Sequence, residues 1–211
     1  MIDELESLQP PVELARLSFE HPIPKKVREH GKALDPAMLE PGDLILVSAK
    51  KPNLVGKVIR HHQGKLFNLE HSKWQHAAVS GGRFEICEAT MLGVKACEYW
   101  EYMTGAYEIR VRRLKGASAD DRSKLAYHAA TNVRSPYGFL NALNMRAVFG
   151  GGNGWERPVM RTRGVICSQL YFEACMRVGY LLDKIPAENV SPAHLSMTPL
   201  LEDVPLSWVS I

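Results

Sequence analysis

Residues 74–90, WQHAAVSGGRFEICEAT, contain the pattern from which the fold is most directly predicted. Two short runs rich in β-forming residues flank a Ser-Gly-Gly-Arg sequence at 80–83, a pattern typical of a β-hairpin. In the second run Glu88 shares a strand face with Phe84 and with the isoleucine between them, so we expect its side chain to point inward. A buried carboxylate needs a partner, and His76 in the first run is the candidate.

The register of this hairpin depends on the length of its turn, which the glycine pair leaves open. A three-residue loop at 81–83 places His76 directly opposite Glu88. A two-residue loop at 81–82 places His76 opposite Cys87 instead. We take the first register as the prediction, because it lets the carboxylate orient the imidazole as the third member of a catalytic triad does.

Further elements extend in both directions from the hairpin. The apolar run 44–47 follows a Pro-Gly turn and predicts a mostly buried strand, and YEIRVRRL at 107–114 alternates as a strand with one solvated face. Residues 54–65 place apolar side chains at helical spacing with Lys and Arg away from that stripe. Residues 118–133 carry Asp120 and Asp121 where a helix start favours acids, and continue with helical periodicity. Strands, one hairpin and helices in this arrangement predict an α+β fold.

Cys167 begins a second helical pattern, in which Leu170, Tyr171 and Ala174 recur at helical intervals before Gly179 ends it. The first turn of a helix has unpaired backbone amides and a favourable dipole, which stabilise a thiolate and could hold an oxyanion. The alternative is a buried core thiol, which is the common environment of a free cysteine.

The other cysteines and the histidines narrow the choice of reactive groups. Cys175 lies two turns along the same helical face as Cys167 and is assigned to the core, and Cys87 and Cys97 are interpreted as structural. Of the eight histidines, His76 is the one on a predicted strand, where a side chain is held rigidly enough for a catalytic base.

Composition sets limits on the class of protein. The chain has 211 residues, 45% of them hydrophobic and 23% charged, which fits a globular domain with a sizeable core. A formal charge of +3 does not suggest a nucleic-acid partner, and no run approaches the length of a membrane helix. The first residues lack the pattern of a signal peptide, so we expect a cytoplasmic protein with four reduced cysteines.

Several motifs in order resemble those of a known family. PGDLILV at 41–47, WQHAAV at 74–79, EICEATMLGV at 85–94, SPYGF at 135–139 and ICSQLYFEAC at 166–175 are similar to motifs of the permuted papain-fold amidases of the YaeF/YiiX group. These are relatives of NlpC-type cell-wall peptidases and of the lecithin:retinol acyltransferase family. The resemblance spans roughly residues 40–195 and includes VSPAHL at 190–195. It implies a circularly permuted papain-like fold in which the His hairpin precedes the Cys helix.

The resemblance also implies roles for four residues. Cys167 resembles the nucleophile, His76 the general base and Glu88 the carboxylate that orients it. Tyr137 matches a tyrosine whose hydroxyl helps to form the oxyanion hole, although a Pro-Tyr-Gly sequence is also a good turn. The implied protein is a thiol-dependent hydrolase that cleaves an amide bond, peptide or N-acyl, in cell-wall peptide or lipid-like substrates without a metal or organic cofactor.

Alternatives from other classes stay open. An acyltransferase acting on lipid or amine acceptors would use the same groups, and a non-catalytic binding domain could retain the fold. A metal site formed by His61, His62, His71 and His76, with Cys87 nearby, matches no established zinc spacing. A nucleotide site at the glycine-rich run 149–154 lacks the Lys-Ser/Thr that a phosphate-binding loop carries.

The chain divides in sequence into two parts. Residues 1–38, rich in proline and charge, predict an N-terminal extension, and residues 39–211 a single catalytic domain. The partner that we expect is a small-molecule, peptide or lipid-like substrate, with no nucleic acid and no integral membrane segment. The pattern does not determine the oligomeric state.

Overall fold

A six-stranded antiparallel sheet forms the centre of the protein. The computed structural model describes residues 23–82, 84–136 and 165–211. The strand order is β5-β4-β3-β2-β6-β7, and every neighbouring pair runs antiparallel. The strands of this sheet are β2 (Leu44–Ala49), β3 (His76–Gly82), β4 (Glu85–Thr90), β5 (Gly93–Glu98), β6 (Tyr107–Leu114) and β7 (Leu201–Asp203).

Helices pack on the sheet and complete an α+β fold, as the sequence predicts. Their bounds are α1 (Lys25–His30), α2 (Leu54–Gln63), α3 (Leu69–Ser72), α4 (Ala119–Ala130), α5 (Cys167–Arg177) and α6 (Pro192–Met197). Helix α5 lies against β3 and β4, and α4 packs on both α5 and β3. A capping box between Ser118 and Asp121 begins α4, where the sequence predicts a helix start.

Each face of the sheet buries its own hydrophobic core, because successive side chains of a strand point to opposite faces. Ala77 and Val79 of β3 lie in the core beneath α4 and α5. Ala78, between them, lies in a second core that contains Trp100 and Val27. The alternation explains why β3 is buried on both faces and reads as a continuous apolar run.

The N-terminal region that the structure describes is tied to the C-terminal end of the chain. Strand β1 (Lys32–Leu34) pairs antiparallel with β8 (Trp208–Ser210) in a separate two-stranded sheet. Val27, Ala33 and Leu34 are buried in the second core. Residues 23–38 therefore pack against the domain, and the boundary at residue 38 stays a prediction from composition.

Gly42 makes the tight turn that leads into β2. Its φ of 80° lies in the left-handed region, and a Cβ at this position would lie 2.6 Å from the carbonyl oxygen of Arg122. A side chain here would thus meet both backbone strain and a steric clash. Gly116 also has a positive φ, 69°, but a Cβ there would meet nothing within 4 Å.

Candidate functional site

Cys167 is the first residue of α5 and lies at the point where that helix meets the sheet. Its side chain is buried, with 6% of its surface exposed. The backbone N–H groups of Ala77 and Ser168 donate hydrogen bonds to the sulfur. Ile166 at the N-cap makes no side-chain hydrogen bond to the helix, so no capping side chain competes for the first turn. The sulfur therefore lies where amide donors stabilise a negative charge.

His76 is the first residue of β3 and connects Cys167 to the sheet. Backbone pairing with Val47 of β2 fixes its position. Its imidazole forms a hydrogen bond with Cys167, and Nε2 lies 2.6 Å from Oε2 of Glu88. Because Nε2 contacts the carboxylate, Nδ1 is the ring nitrogen available to the sulfur. About a fifth of the side chain, 21%, is exposed, so the imidazole is accessible from solvent.

The register of the hairpin differs from both predicted alternatives. Glu88 pairs with Ala78 and not with His76, and His76 is not opposite Cys87 either. The strands already pair at Gly82 and Glu85, further along the chain than predicted, and an irregularity between Ser80 and Gly82 then shifts the pairing by one residue. In total the pairing differs by two residues from the predicted register, so its parity is unchanged. His76 and Glu88 consequently stay on the same face as diagonal neighbours, and their side chains meet. The predicted contact forms, although the predicted backbone pairing is wrong.

Glu88 is fully buried, as the sequence predicts, and it has more partners than the sequence indicates. Lys95 lies directly opposite it on β5, with Nζ 3.2 Å from Oε1. The hydroxyl of Tyr102 donates to Oε2, and the thiol of Cys97 lies 3.4 Å from Oε1. Sequence reasoning missed Lys95 and Tyr102. A second hairpin, with its turn between Thr90 and the glycine of β5, would have brought Lys95 opposite Glu88, but nothing marks Tyr102.

The electrostatics of these contacts favour charged forms throughout. Burial by itself would raise the pKa of Glu88, but hydrogen bonds and charge from His76, with Tyr102 and Lys95, lower it to about 2. Burial would lower the pKa of His76, but the contacts with Cys167 and Glu88 raise it to about 10. Burial opposes ionisation of Cys167, yet His76 and the two backbone amides lower the pKa of its thiol. These contacts therefore favour a thiolate beside an imidazolium and a carboxylate.

The other three cysteines have the opposite electrostatic environment. Burial, with the charge of Glu88 nearby, raises the pKa of Cys87 to about 11 and that of Cys97 to about 12. Burial also raises the pKa of Cys175, a residue of α5 whose side chain lies in the core. These side chains are neutral thiols near neutral pH, and Cys167 differs from them by its neighbours.

A cleft of about 360 Å³ leads to Cys167 and His76 among the described residues. Polar walls are formed by Gln75, Tyr102 and Lys51, while Val55, Ile59 and Met91 are among the apolar lining residues. Gln75 is held in place by the backbone N–H of Ala49, 3.3 Å from its Oε1. The cleft that contains Cys167 is thus partly apolar and partly polar.

Some predicted features lie outside the described residues or are separated from the site. Tyr137 and the glycine-rich run 149–154 fall in the range 137–164, which the structure does not describe. His71 contacts Ser196, with Nδ1 3.0 Å from Oγ, and His61 and His62 lie on α2. In the part of the chain that the structure describes, no group of three or more His, Cys, Asp or Glu side chains is placed to hold a metal ion.

Comparison of the sequence with protein-family models gave no match, and comparison with curated proteins gave none either. Across the described ranges, none of the helices has both the length and the apolar character needed to cross a bilayer. The function has therefore to be inferred from the geometry of the site.

Proposed function

We propose that the protein is a thiol-dependent hydrolase that cleaves an amide bond, peptide or N-acyl, through a thioester on Cys167. The observation that carries this proposal is the continuous line of contacts from the Cys167 sulfur through His76 to buried Glu88, at the end of a cleft. A nucleophile, a base in contact with it and a third group that orients the base are the parts that covalent acyl transfer requires.

The reaction would proceed in two steps, formation of a thioester and its hydrolysis. The thiolate of Cys167 attacks the carbonyl carbon, and the His76 imidazolium donates its proton to the leaving nitrogen as the C–N bond breaks. The amine departs and a thioester remains. His76, now neutral, accepts a proton from water as that water attacks the thioester, and the acid product leaves with the thiolate regenerated. Glu88 stays ionised and keeps Nε2 of the imidazole protonated.

We further propose that this α+β domain is a circularly permuted papain-like fold. Two features support it: the strand with His76 precedes the helix with Cys167 in the chain, and the first residue of that helix is hydrogen-bonded to the first residue of the strand. Tyr137 is proposed as an additional oxyanion donor on the resemblance alone.

A second candidate is acyl transfer to a lipid or amine acceptor. The apolar side chains of Val55, Ile59 and Met91 along the cleft favour a substrate with an aliphatic acyl group. An amine or alcohol in place of water would then take the acyl group from Cys167. Product analysis with and without an added amine distinguishes transfer from hydrolysis.

The test uses a panel of N-acyl and peptidyl aminocoumarin substrates together with intact-protein mass spectrometry. We expect turnover and a transient acyl adduct on Cys167, both lost in Cys167→Ala and both retained in Cys175→Ala. Thermal unfolding checks that each variant is folded. Turnover that survives in Cys167→Ala, or an adduct on another cysteine, would refute the proposal.

A further inference from the structure

Helix α2 presents its apolar side to solvent instead of the core. Leu54 is 78% exposed, Val55 44% and Val58 38%. The helix is fastened to the protein by polar contacts: the buried Gln63 donates to the carbonyl oxygens of Ser72 and Trp74 at 3.0 and 2.7 Å. An amphipathic helix normally buries its apolar stripe, so this one has an unfilled hydrophobic face.

The turn between β4 and β5 adds two exposed apolar side chains near the same place. Leu92 is 99% exposed and Met91 58%. Met91 and Val55 both line the cleft that contains Cys167. Val55 and Met91 therefore border one opening. Leu54 and Val58 lie on the same helix as Val55, and Leu92 lies on the same turn as Met91. We refer to these exposed apolar side chains together as the apolar rim: Leu54, Val55, Val58, Met91 and Leu92.

Cations accompany the apolar rim on the helix side. Residues 44–69 contain five of them and no aspartate or glutamate: Lys50, Lys51, Lys57, Arg60 and Lys65. All the lysines among them are exposed. Glu108 acts electrostatically on Lys50 and Arg60, but its carboxylate is hydrogen-bonded to Lys73 at 2.7 Å. The surface around the rim is therefore apolar at its centre and positive at its margin.

We propose that the apolar rim docks on an anionic lipid bilayer, with the cleft of Cys167 facing the lipid. Leucine at a turn tip and an amphipathic helix bordered by lysines are suited to the interface, where apolar side chains enter the acyl boundary and cations contact headgroups. The charge complementarity favours an anionic surface over a neutral one. Docking does not rest on the proposed function; if both hold, the substrate is an acylated molecule presented at the bilayer surface.

The experiment is co-sedimentation of the full chain with vesicles of phosphatidylcholine alone or of equal parts phosphatidylcholine and phosphatidylglycerol. We expect binding to the mixed vesicles that weakens with added salt, and much weaker binding to the neutral ones. Leu54→Ser with Leu92→Ser should lower the partition coefficient on the order of tenfold per residue. Lys51→Gln with Lys57→Gln should lower it about fivefold per charge.

The matched control is Leu181→Ser with Lys184→Gln. Both residues are exposed and follow the C-terminal end of α5, the end opposite to Cys167. This variant should bind like the wild type. Equal binding by the rim variants and the control would overturn the proposal, as would absence of binding to anionic vesicles. Self-association that the rim variants abolish, without vesicle binding, would assign the rim to a second copy of the chain instead. Turnover of a water-soluble amide substrate, measured separately, reports on the proposed function and not on docking.

Discussion

Replacing Glu88 by glutamine removes a buried charge while keeping the size and shape of the side chain. The carboxylate is 1% exposed and lies 2.6 Å from Nε2 of His76, so water does not screen the interaction. Glutamine can still accept a hydrogen bond from the imidazole but cannot stabilise its positive charge. The substitution therefore tests the electrostatic role of Glu88 separately from its position.

The expected size follows from the contact. Loss of an opposite charge within hydrogen-bond distance changes a pKa by about 1–3 units, each unit corresponding to ~1.4 kcal/mol. The pKa of His76, about 10 in the wild type, should fall accordingly. A less stable imidazolium stabilises the thiolate less, so the pKa of Cys167 should rise. Below its new midpoint the reaction of Cys167 should slow about tenfold per unit of that rise.

The assay is the pH dependence of iodoacetamide labelling, resolved for each cysteine by mass spectrometry. Wild-type Cys167 should react well below the ~8.5 pKa of an ordinary thiol, and Glu88→Gln should move its midpoint to higher pH. Glu101→Gln is the matched control, because Glu101 also contacts Lys95, at 3.6 Å, but is more than half exposed. Labelling of Cys167 should be unchanged in this control.

Two results would refute the reasoning. An unchanged midpoint in a folded Glu88→Gln variant would show that the carboxylate does not act on the thiolate through His76. A wild-type Cys167 that labels no faster than Cys87 or Cys97 at neutral pH would show that the ion pair does not form.

Three further predictions test the site and the fold. Tyr102→Phe removes a hydrogen bond to the charged carboxylate of Glu88, worth roughly 1.5–3 kcal/mol. The low-pH side of the curve of Cys167 labelling against pH should therefore move to higher pH. Tyr127→Phe, which changes an exposed tyrosine, should leave that curve unchanged. The pKa of Glu88 is about 2 in the folded protein against an ordinary value of 4.5, so the stability that its charge contributes is complete above pH 4.5 and is lost as pH falls through 2. In urea titrations the unfolding free energy of the wild type should therefore fall over that range by up to ~3 kcal/mol more than that of Glu88→Gln. Gly42→Ala should destabilise by about 3 kcal/mol in the same titrations and Gly116→Ala by about 1, since both have positive φ but only at Gly42 would the added Cβ meet a backbone oxygen. Equal losses would contradict the role assigned to the clash.

Local patterns were sufficient for much of the fold. The apolar run at 44–47, the alternation at 107–114 and the acidic helix start before residue 122 are all signals of short range, and the structure confirms a strand, a strand and a helix there. The solvated face predicted for 107–114 is wrong, because Arg112 on that face is 6% exposed and donates to backbone carbonyl oxygens such as that of Leu195. The burial of Glu88 is also confirmed, because alternation along a strand determines which face a side chain occupies.

What the sequence did not determine depends on contacts between distant residues. The register follows from a turn that lies further along the chain than predicted and from an irregularity after Ser80, since a glycine pair permits several turn geometries of similar energy. Helix α2 was predicted from its periodicity, and the helix forms, but its apolar side faces solvent and its buried Gln63 makes polar contacts with the rest of the protein. Tyr102 reaches Glu88 from a turn of 3₁₀ helix that carries no motif.

The pairing of β1 with β8 has a mechanical consequence. Lys32 is opposite Ser210, so the strand nearest the start of the described chain and the strand nearest its end are joined at neighbouring outer ends. Tension applied across these two ends would open the ladder one pair at a time, from Lys32 and Ser210 towards Leu34 and Trp208. Breaking the pairs one after another needs less force than sliding all of them at once. The central sheet with Cys167 and His76 would therefore bear load only after the two-stranded sheet of β1 and β8 had opened.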